Sequence, residues 1–398
     1  MMRFLIPIKR DIRSVPPLLS LIKGLGRAGH QVCFFCHNYD PAAFAGSEGP
    51  WLQVEAFSDE PYPKGLLQRL AATVMVYWAL WHHLANNATA YDYVWLGTWD
   101  FRFFGWIAKS VRLRARVVRQ YHEYEPERMR RTHAPDVVVV PEENRAWLTY
   151  FAAGLSTRPL VLPNTPIDHP RRWTGVSEPA IARLKAAGRV VLIYQGNIDL
   201  RKRCLLELLQ ALAMLPAQFV LALMPLRNSD RNEIQRLQSQ IARLDLNDRV
   251  SWIQSRDAPY HLDVLAQADV GIGLYRPTSL NQVYCAPNRL YELTGYGIPV
   301  VLPHFPGLRS LAEKYPGIVT CDPEDIASIA NAIQPLAEPA RYRRAADGAS
   351  LFFEERGCYM DHLRSVLQAM SRGHHGVDDT HSFAVTPGNT VDMSLTSR

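Results

Sequence analysis

Short runs of consecutive apolar residues alternate along most of the chain with longer stretches in which apolar residues recur every three or four positions. Runs of the first kind read as parallel strands covered on both faces, and the periodic stretches as the helices that cover them. The pattern predicts a strand at 3–7 (RFLIP), a helix at 18–28 closed by Gly29, and a strand at 31–36 (QVCFFC). Further strands are expected at 93–96, 115–121, 137–140 and 159–162, with helical segments between them. Residues 163–179, rich in proline and polar side chains, read as a linker, and the pattern then restarts. It gives strands at 190–195, 219–224, 250–253, 270–274 and 299–302, with helices at 204–213, 232–244, 260–268 and 289–296. The expected architecture is α/β, with two doubly wound Rossmann-like units facing across a cleft. Their bounds are 1–165 and 180–357, joined by a linker at 166–179. A helix at 358–371 is placed to cross back to the first unit, and a tail at 372–398 has too few large apolar residues to fold.

Composition supports this division without altering it. A chain of 398 residues has the length of about two domains. Apolar residues at 47% and charged residues at 21% exclude wholesale disorder. The opening MMRFLIPI reads as a strand and lacks the layout of a secretory signal, so a cytoplasmic location is expected. The most apolar run, 70–81, falls short of the ~20 residues that cross a bilayer and ends at His82 and His83, which makes it a buried or interfacial helix. Six scattered cysteines do not form a disulfide framework. Cys33 and Cys36 fall three apart in a predicted strand, on opposite faces, which favours core packing over metal or redox chemistry.

The net charge of +6 suits an anionic partner and is concentrated in one segment. Arg102, Lys109, Arg112, Arg114, Arg116, Arg119, Arg128, Arg130 and Arg131 are interleaved with Phe101, Phe103, Phe104, Trp106 and Ile107. This is a candidate membrane-facing or acidic-acceptor surface, with a solvated helix face as the plain alternative. No nucleic-acid-binding motif accompanies the charge, so nucleic acid is not an expected partner.

Open parallel sheets gather ligands beyond the C-terminal ends of their strands, and three motifs fall there. In YCAPNRLYELTGYGIP (284–299), Asn288 is expected as the N-cap of a helix whose free N–H groups suit a phosphate. Glu292, one turn deeper on the same face, could accept hydrogen bonds from the two hydroxyls of a ribose; pairing with Arg289 on the helix surface is the alternative. In YQGNIDLRKRC (194–204), Gly196 lets the backbone turn close to a ligand, and Arg201, Lys202 and Arg203 offer charge for a diphosphate, unless they simply form a solvated loop. In QYHEYEP (120–126), His122 could donate to a sugar hydroxyl or a leaving phosphate and Glu123 and Glu125 offer acceptors, although a lone histidine is more often structural.

APNRLYELTGYGIPVV resembles the donor-binding signature of retaining GT-B glycosyltransferases of the large family 4 group. YQGNIDLRKR is similar to their phosphate-binding strand and loop, HEYEP to their cleft loop, and DVVVVPEENRAWL with VLPNTP to the end of their acceptor domain, in matching order. The resemblance implies sugar transfer with retention from a UDP- or GDP-sugar to a glycan, a lipid-linked saccharide or a small molecule, as in polysaccharide biosynthesis, with no obligatory metal or cofactor. It implies that Glu292 holds the ribose, that Lys202 with Arg201 or Arg203 holds the diphosphate, and that Gly196, Tyr284, Asn288 and Arg289 complete the donor site. Lys202 would stabilise the leaving group and His122 would orient the sugar. Two departures stand out: Tyr284 occupies a position where many relatives carry glutamate, and IKRDIRSVPP (8–17) lacks the paired glycines often found in that loop. An epimerase or hydrolase on the same fold, and a catalytically silent nucleotide- or glycan-binding homologue, remain the alternatives.

Overall fold

The computed structural model describes residues 1–372 other than 10, 11, 13, 14, 48, 59–62, 64, 98–100, 131–134 and 228. The tail expected to be unfolded lies outside the described residues from 373 onward, as does part of the 8–17 loop. Strands β1 (Arg3–Ile8), β2 (Gln31–Cys36), β3 (Leu52–Ala56), β4 (Tyr93–Gly97), β5 (Arg116–Gln120), β6 (Val137–Val140) and β7 (Leu160–Val161) form one parallel sheet. Strands β8 (Val190–Gly196), β9 (Phe219–Pro225), β10 (Val250–Trp252), β11 (Val270–Ile272), β12 (Val300–Pro303) and β13 (Ile318–Cys321) form a second. The orders are β3-β2-β1-β4-β5-β6-β7 and β10-β9-β8-β11-β12-β13. Each sheet therefore reverses its winding once, between β1 and β4 in the first and between β8 and β11 in the second, and such reversals open a crevice at the strand ends.

Alternation along the strands builds a core on both faces of each sheet. In β8, Leu192 and Tyr194 join the core under the helices Leu205–Met214 and Ile326–Ile333, while Val191 and Ile193 join the one under Asn288–Thr294. In β1, Phe4 and Ile6 pack with Leu18, Leu21 and Leu25 of the helix Pro16–Arg27, and Leu5 packs with Val76, Leu80 and Leu84 of the helix Leu66–Asn86. Pro16–Arg27 ends as the pattern predicts: Gly29 at φ +79 lets its own N–H reach the Gly26 carbonyl and that of His30 reach the Leu25 carbonyl, the pair of hydrogen bonds that closes a helix through a left-handed residue. Cys33 and Cys36 face opposite cores, and burial pushes both thiols up, to about 11 and about 12.

The last helix, Tyr359–Ser371, lies on the first sheet although the helix before it, Pro339–Arg356, packs with the second. Leu363, Val366 and Met370 enter the core around β1, and the Met370 carbonyl accepts from Arg116 Nη1 at 3.1 Å. The chain thus crosses between the units twice, and the crossings touch: Thr165 Oγ1 donates to the Gly357 carbonyl at 2.8 Å. In the first crossing Asp168 accepts from Lys23 Nζ at 2.9 Å and from Arg27, while the next residue, His169, bonds the Glu292 carbonyl at 2.8 Å and packs at a tilt against the rings of Tyr296 and Phe353.

The basic aromatic segment is not one exposed surface, contrary to expectation. Phe101, Phe104 and Ile107 are core residues, Arg116 is turned toward Met370, and the buried Arg119 donates to the Phe101 carbonyl at 3.2 Å. Arg102, Phe103, Trp106, Lys109, Arg112 and Arg114 remain exposed; Arg131 lies outside the described residues.

Candidate active site

The second sheet's reversal point carries an unusual concentration of cations and aromatic rings. Tyr194 and Gly196 close β8, and Tyr275 lies just past β11. Arg289, on the helix Asn288–Thr294, lies over the Tyr194 ring at 4.9 Å and is 5.8 Å from the Tyr275 centroid. Gly196 makes room for it: a Cβ there would sit 2.4 Å from Arg289 Nη2, and the backbone φ of +148 also favours glycine. Arg203 covers the other approach to Tyr275 at 4.1 Å, and its Nη1 is sealed from solvent without a hydrogen-bond partner. Arg201 and Lys202 are exposed, so Arg203 is the member of the basic triplet that turns inward. Asp199 holds the loop by accepting from the N–H groups of Arg201 and Lys202, both at 3.1 Å.

The helix Asn288–Thr294 starts differently from expectation. Pro287, extended at φ −73 and ψ 121, is the capping position, and Asn288 is the first helical residue with no capping hydrogen bond. Glu292 does lie one turn on, but its partner is neither Arg289 nor solvent: His261 Nε2 is 3.2 Å from Oε1. Burial raises the carboxyl's pKa, but His261, Arg289 and His169 together outweigh it and hold Glu292 below the usual carboxylate range. The site thus offers an ionised acceptor within one helical turn of the guanidinium cluster.

The first unit brings a neutral group. His122 follows β5, its two ring nitrogens are out of solvent contact, and neither makes a hydrogen bond of good geometry. Burial, aided by the Arg145 charge and opposed by the adjacent Asn164, lowers its pKa to about 4, so the imidazole is uncharged near neutrality. Arg145, which the sequence did not single out, ties the two units together. From the first turn of the helix Glu143–Ala153 it donates to His122 O at 2.6 Å, Tyr284 O at 2.5 Å and Asn281 O at 2.9 Å. Asn281 Oδ1 in turn accepts from Tyr124 N at 2.8 Å. The backbone of Tyr284 is therefore part of the seam between the units, which brings the first sheet's strand ends against those of the second.

Arg145 and Arg203 both act on Cys285, whose thiol burial raises to about 11 against their pull. Among the described residues, none of Arg145, Arg203 and Arg289 has a carboxylate within ion-pair distance, whereas nearby Arg276 is engaged by Glu207 and Glu324. Arg203 and Arg289, over one pair of tyrosine rings and without an acidic partner within ion-pair distance, suit a multiply charged anion, whereas Arg145 is taken up by backbone carbonyls.

Residues 18–135 match the glycosyl transferase 4-like domain family. No curated protein matches the chain in sequence. In fold, Anabaena HepE solved with UDP-glucose is similar at TM-score 0.71 and 18% identity, covering 94% of this chain and 100% of that one. Sucrose-phosphate synthase from Thermosynechococcus elongatus is similar at TM-score 0.62 and 19% identity, over 93% and 100% of the two chains. An E. coli trehalose-6-phosphate structure bound with UDP-2-fluoro glucose is similar at TM-score 0.65 and 14% identity, over 92% and 99%. The fold is GT-B: two parallel sheets with alternating helices. The glycosyl transferase 4-like match covers helices and strands of the first unit and ends before Arg145, while Arg203 and Arg289 belong to the second unit.

Proposed function

We propose that this chain is a glycosyltransferase that takes a sugar from a nucleotide-sugar donor and passes it, with retention, to a glycan or lipid-linked saccharide in the cytoplasm or at a membrane's cytoplasmic face. The observation that carries the reading is the convergence of Arg203 and Arg289 on Tyr275 and Tyr194 at the reversal of the second sheet, with ionised Glu292 one turn away. A diphosphate beside Arg203 and Arg289 places a ribose toward Glu292, whose carboxylate accepts its hydroxyls in place of His261. Gly196, Arg201, Lys202, Tyr284 and Asn288 line the same strand end and complete the donor set. The neighbours solved with UDP, UDP-glucose and UDP-2-fluoro glucose make uridine nucleotides the first donors to test.

As the bond to the sugar breaks, negative charge grows on the diphosphate, and fixed cations that need not reorganise stabilise that state most. Arg203 and Arg289 supply this charge from inside, with Lys202 closing from the exposed edge. Neutral His122 has a free donor and a free acceptor, which suits orienting a sugar hydroxyl rather than moving a proton. The decisive experiment is calorimetry of the purified chain against a panel of UDP- and GDP-sugars, followed by product analysis with and without acceptors. Acceptor-dependent transfer is expected; acceptor-independent turnover would replace the reading with an epimerase or hydrolase, and binding without turnover with a silent homologue.

A further inference from the structure

The helix Leu66–Asn86 is apolar on two opposite sides, and the fold uses one of them. Ala72, Val76, Leu80 and Leu84 form a buried seam at four-residue spacing against β1 and β4. Leu67, Leu70, Val74 and Trp78 follow at the spacing that puts them on the far side, with Met75 at its margin. That side is open: Leu67 is 80% exposed, Val74 69% and Trp78 65%. Beside it, Phe103 N donates to Tyr77 Oη at 3.3 Å, and the exposed Phe103 and Trp106 extend the same apolar surface. A contiguous surface of this kind is rare on a monomer unless something binds it.

The charge around it identifies what binds. Residues 65–91 and 101–122 contain no Asp or Glu. Arg102, Lys109, Arg112 and Arg114 are exposed along the flank. No helix among the described residues is long and apolar enough to cross a membrane. An apolar helix face with tryptophans, bordered by cations and free of acids, matches the boundary between headgroups and acyl chains of an anionic bilayer. We infer that the outer face of Leu66–Asn86, with Phe103 and Trp106, seats on an anionic lipid surface, the aromatic and aliphatic side chains entering the acyl boundary and the four cations meeting lipid phosphates. The inference stands on this surface alone and does not require the donor site to work as proposed.

The test is co-sedimentation of the full chain with vesicles of phosphatidylcholine alone or mixed with phosphatidylglycerol, together with tryptophan quenching by brominated acyl chains. Binding is expected to the mixed vesicles, weakened by salt, with quenching that drops in Trp78→Phe and Trp106→Phe. The double variant Val74→Glu with Trp78→Glu should lose binding by roughly tenfold or more, and Arg112→Gln with Arg114→Gln by about tenfold. All of these side chains are exposed, so circular dichroism and nucleotide affinity should be unchanged. Failure of the wild-type chain to bind mixed vesicles overturns the inference, as does binding that survives Val74→Glu with Trp78→Glu. Wild-type self-association abolished by that double variant, without vesicle binding, would assign the surface to a second copy of the chain instead.

Discussion

At the strand ends of the second sheet, Arg203 and Arg289 are held over buried tyrosines beside an ionised glutamate, whereas at those of the first sheet His122 is kept uncharged and Arg145 is consumed in backbone hydrogen bonds. The same doubly wound plan thus yields a charged half and a neutral half. Charge on one side fixes a ligand's anionic end; neutral, directional groups on the other discriminate among hydroxyls without paying for desolvated ions. On the proposed reading, the second unit would govern affinity for the nucleotide and the first would govern geometry at the sugar.

Four measurements break or sharpen that contrast. The largest effect is expected for Arg203→Ala, which removes a preorganised cation from the leaving group: kcat/KM for transfer should fall by roughly a hundredfold or more, with circular dichroism unchanged. An unaltered kcat/KM would move the diphosphate elsewhere. Glu292→Ala comes next, with donor affinity in calorimetry reduced about tenfold or more through loss of hydrogen bonds to a charged acceptor; unchanged affinity removes Glu292 from the site. His122→Asn should lower kcat by about tenfold, at the low end for a single positioning group, while leaving nucleotide affinity intact. A loss of nucleotide affinity instead would erase the contrast between the halves.

The smallest expected effect is on stability. His122 is lowered to about 4, and His30, His83, His169 and His362 are also lowered, in each case chiefly by burial. In the unfolded chain these rings take up protons near pH ~6.5. Between that pH and their folded values the unfolded state binds more protons, so stability falls as pH falls through this window. The melting temperature should be lower at pH 5 than at pH 7.5, with a shallower drop in His122→Asn. Equal melting temperatures at the two pH values would show that His122 is not kept neutral by the fold.

The doubly wound pattern was legible because buried parallel strands such as VVVV at 137–140 are continuous apolar runs, and because Gly29 marks a helix end. The strands β3 and β13 were not, since edge strands are only partly covered: LQVEA mixes polar and apolar residues. The position of Glu292 one turn into its helix and that of Gly196 at the end of β8 followed from the local pattern. The capping position did not, because Asn288 is a favourable cap by type but Pro287, already fixed in φ, takes the place just before the first turn. Arg145 was invisible for a different reason. Its acceptors at Asn281 and Tyr284 lie 136 and 139 residues away, and no local pattern encodes a contact made only when two units dock.

Asp168 and His169 are neighbours in the chain, yet one grips the first unit and the other the second. A single peptide, with its Cα atoms ~3.8 Å apart, separates the two anchors, which leaves no slack for the units to slide past one another while both hold. The crossing is a short link anchored at both ends rather than a slack tether. The helix bearing Glu292 is fastened to this link through its main-chain carbonyl, so the chain that joins the two units also buttresses the helix that presents the carboxylate.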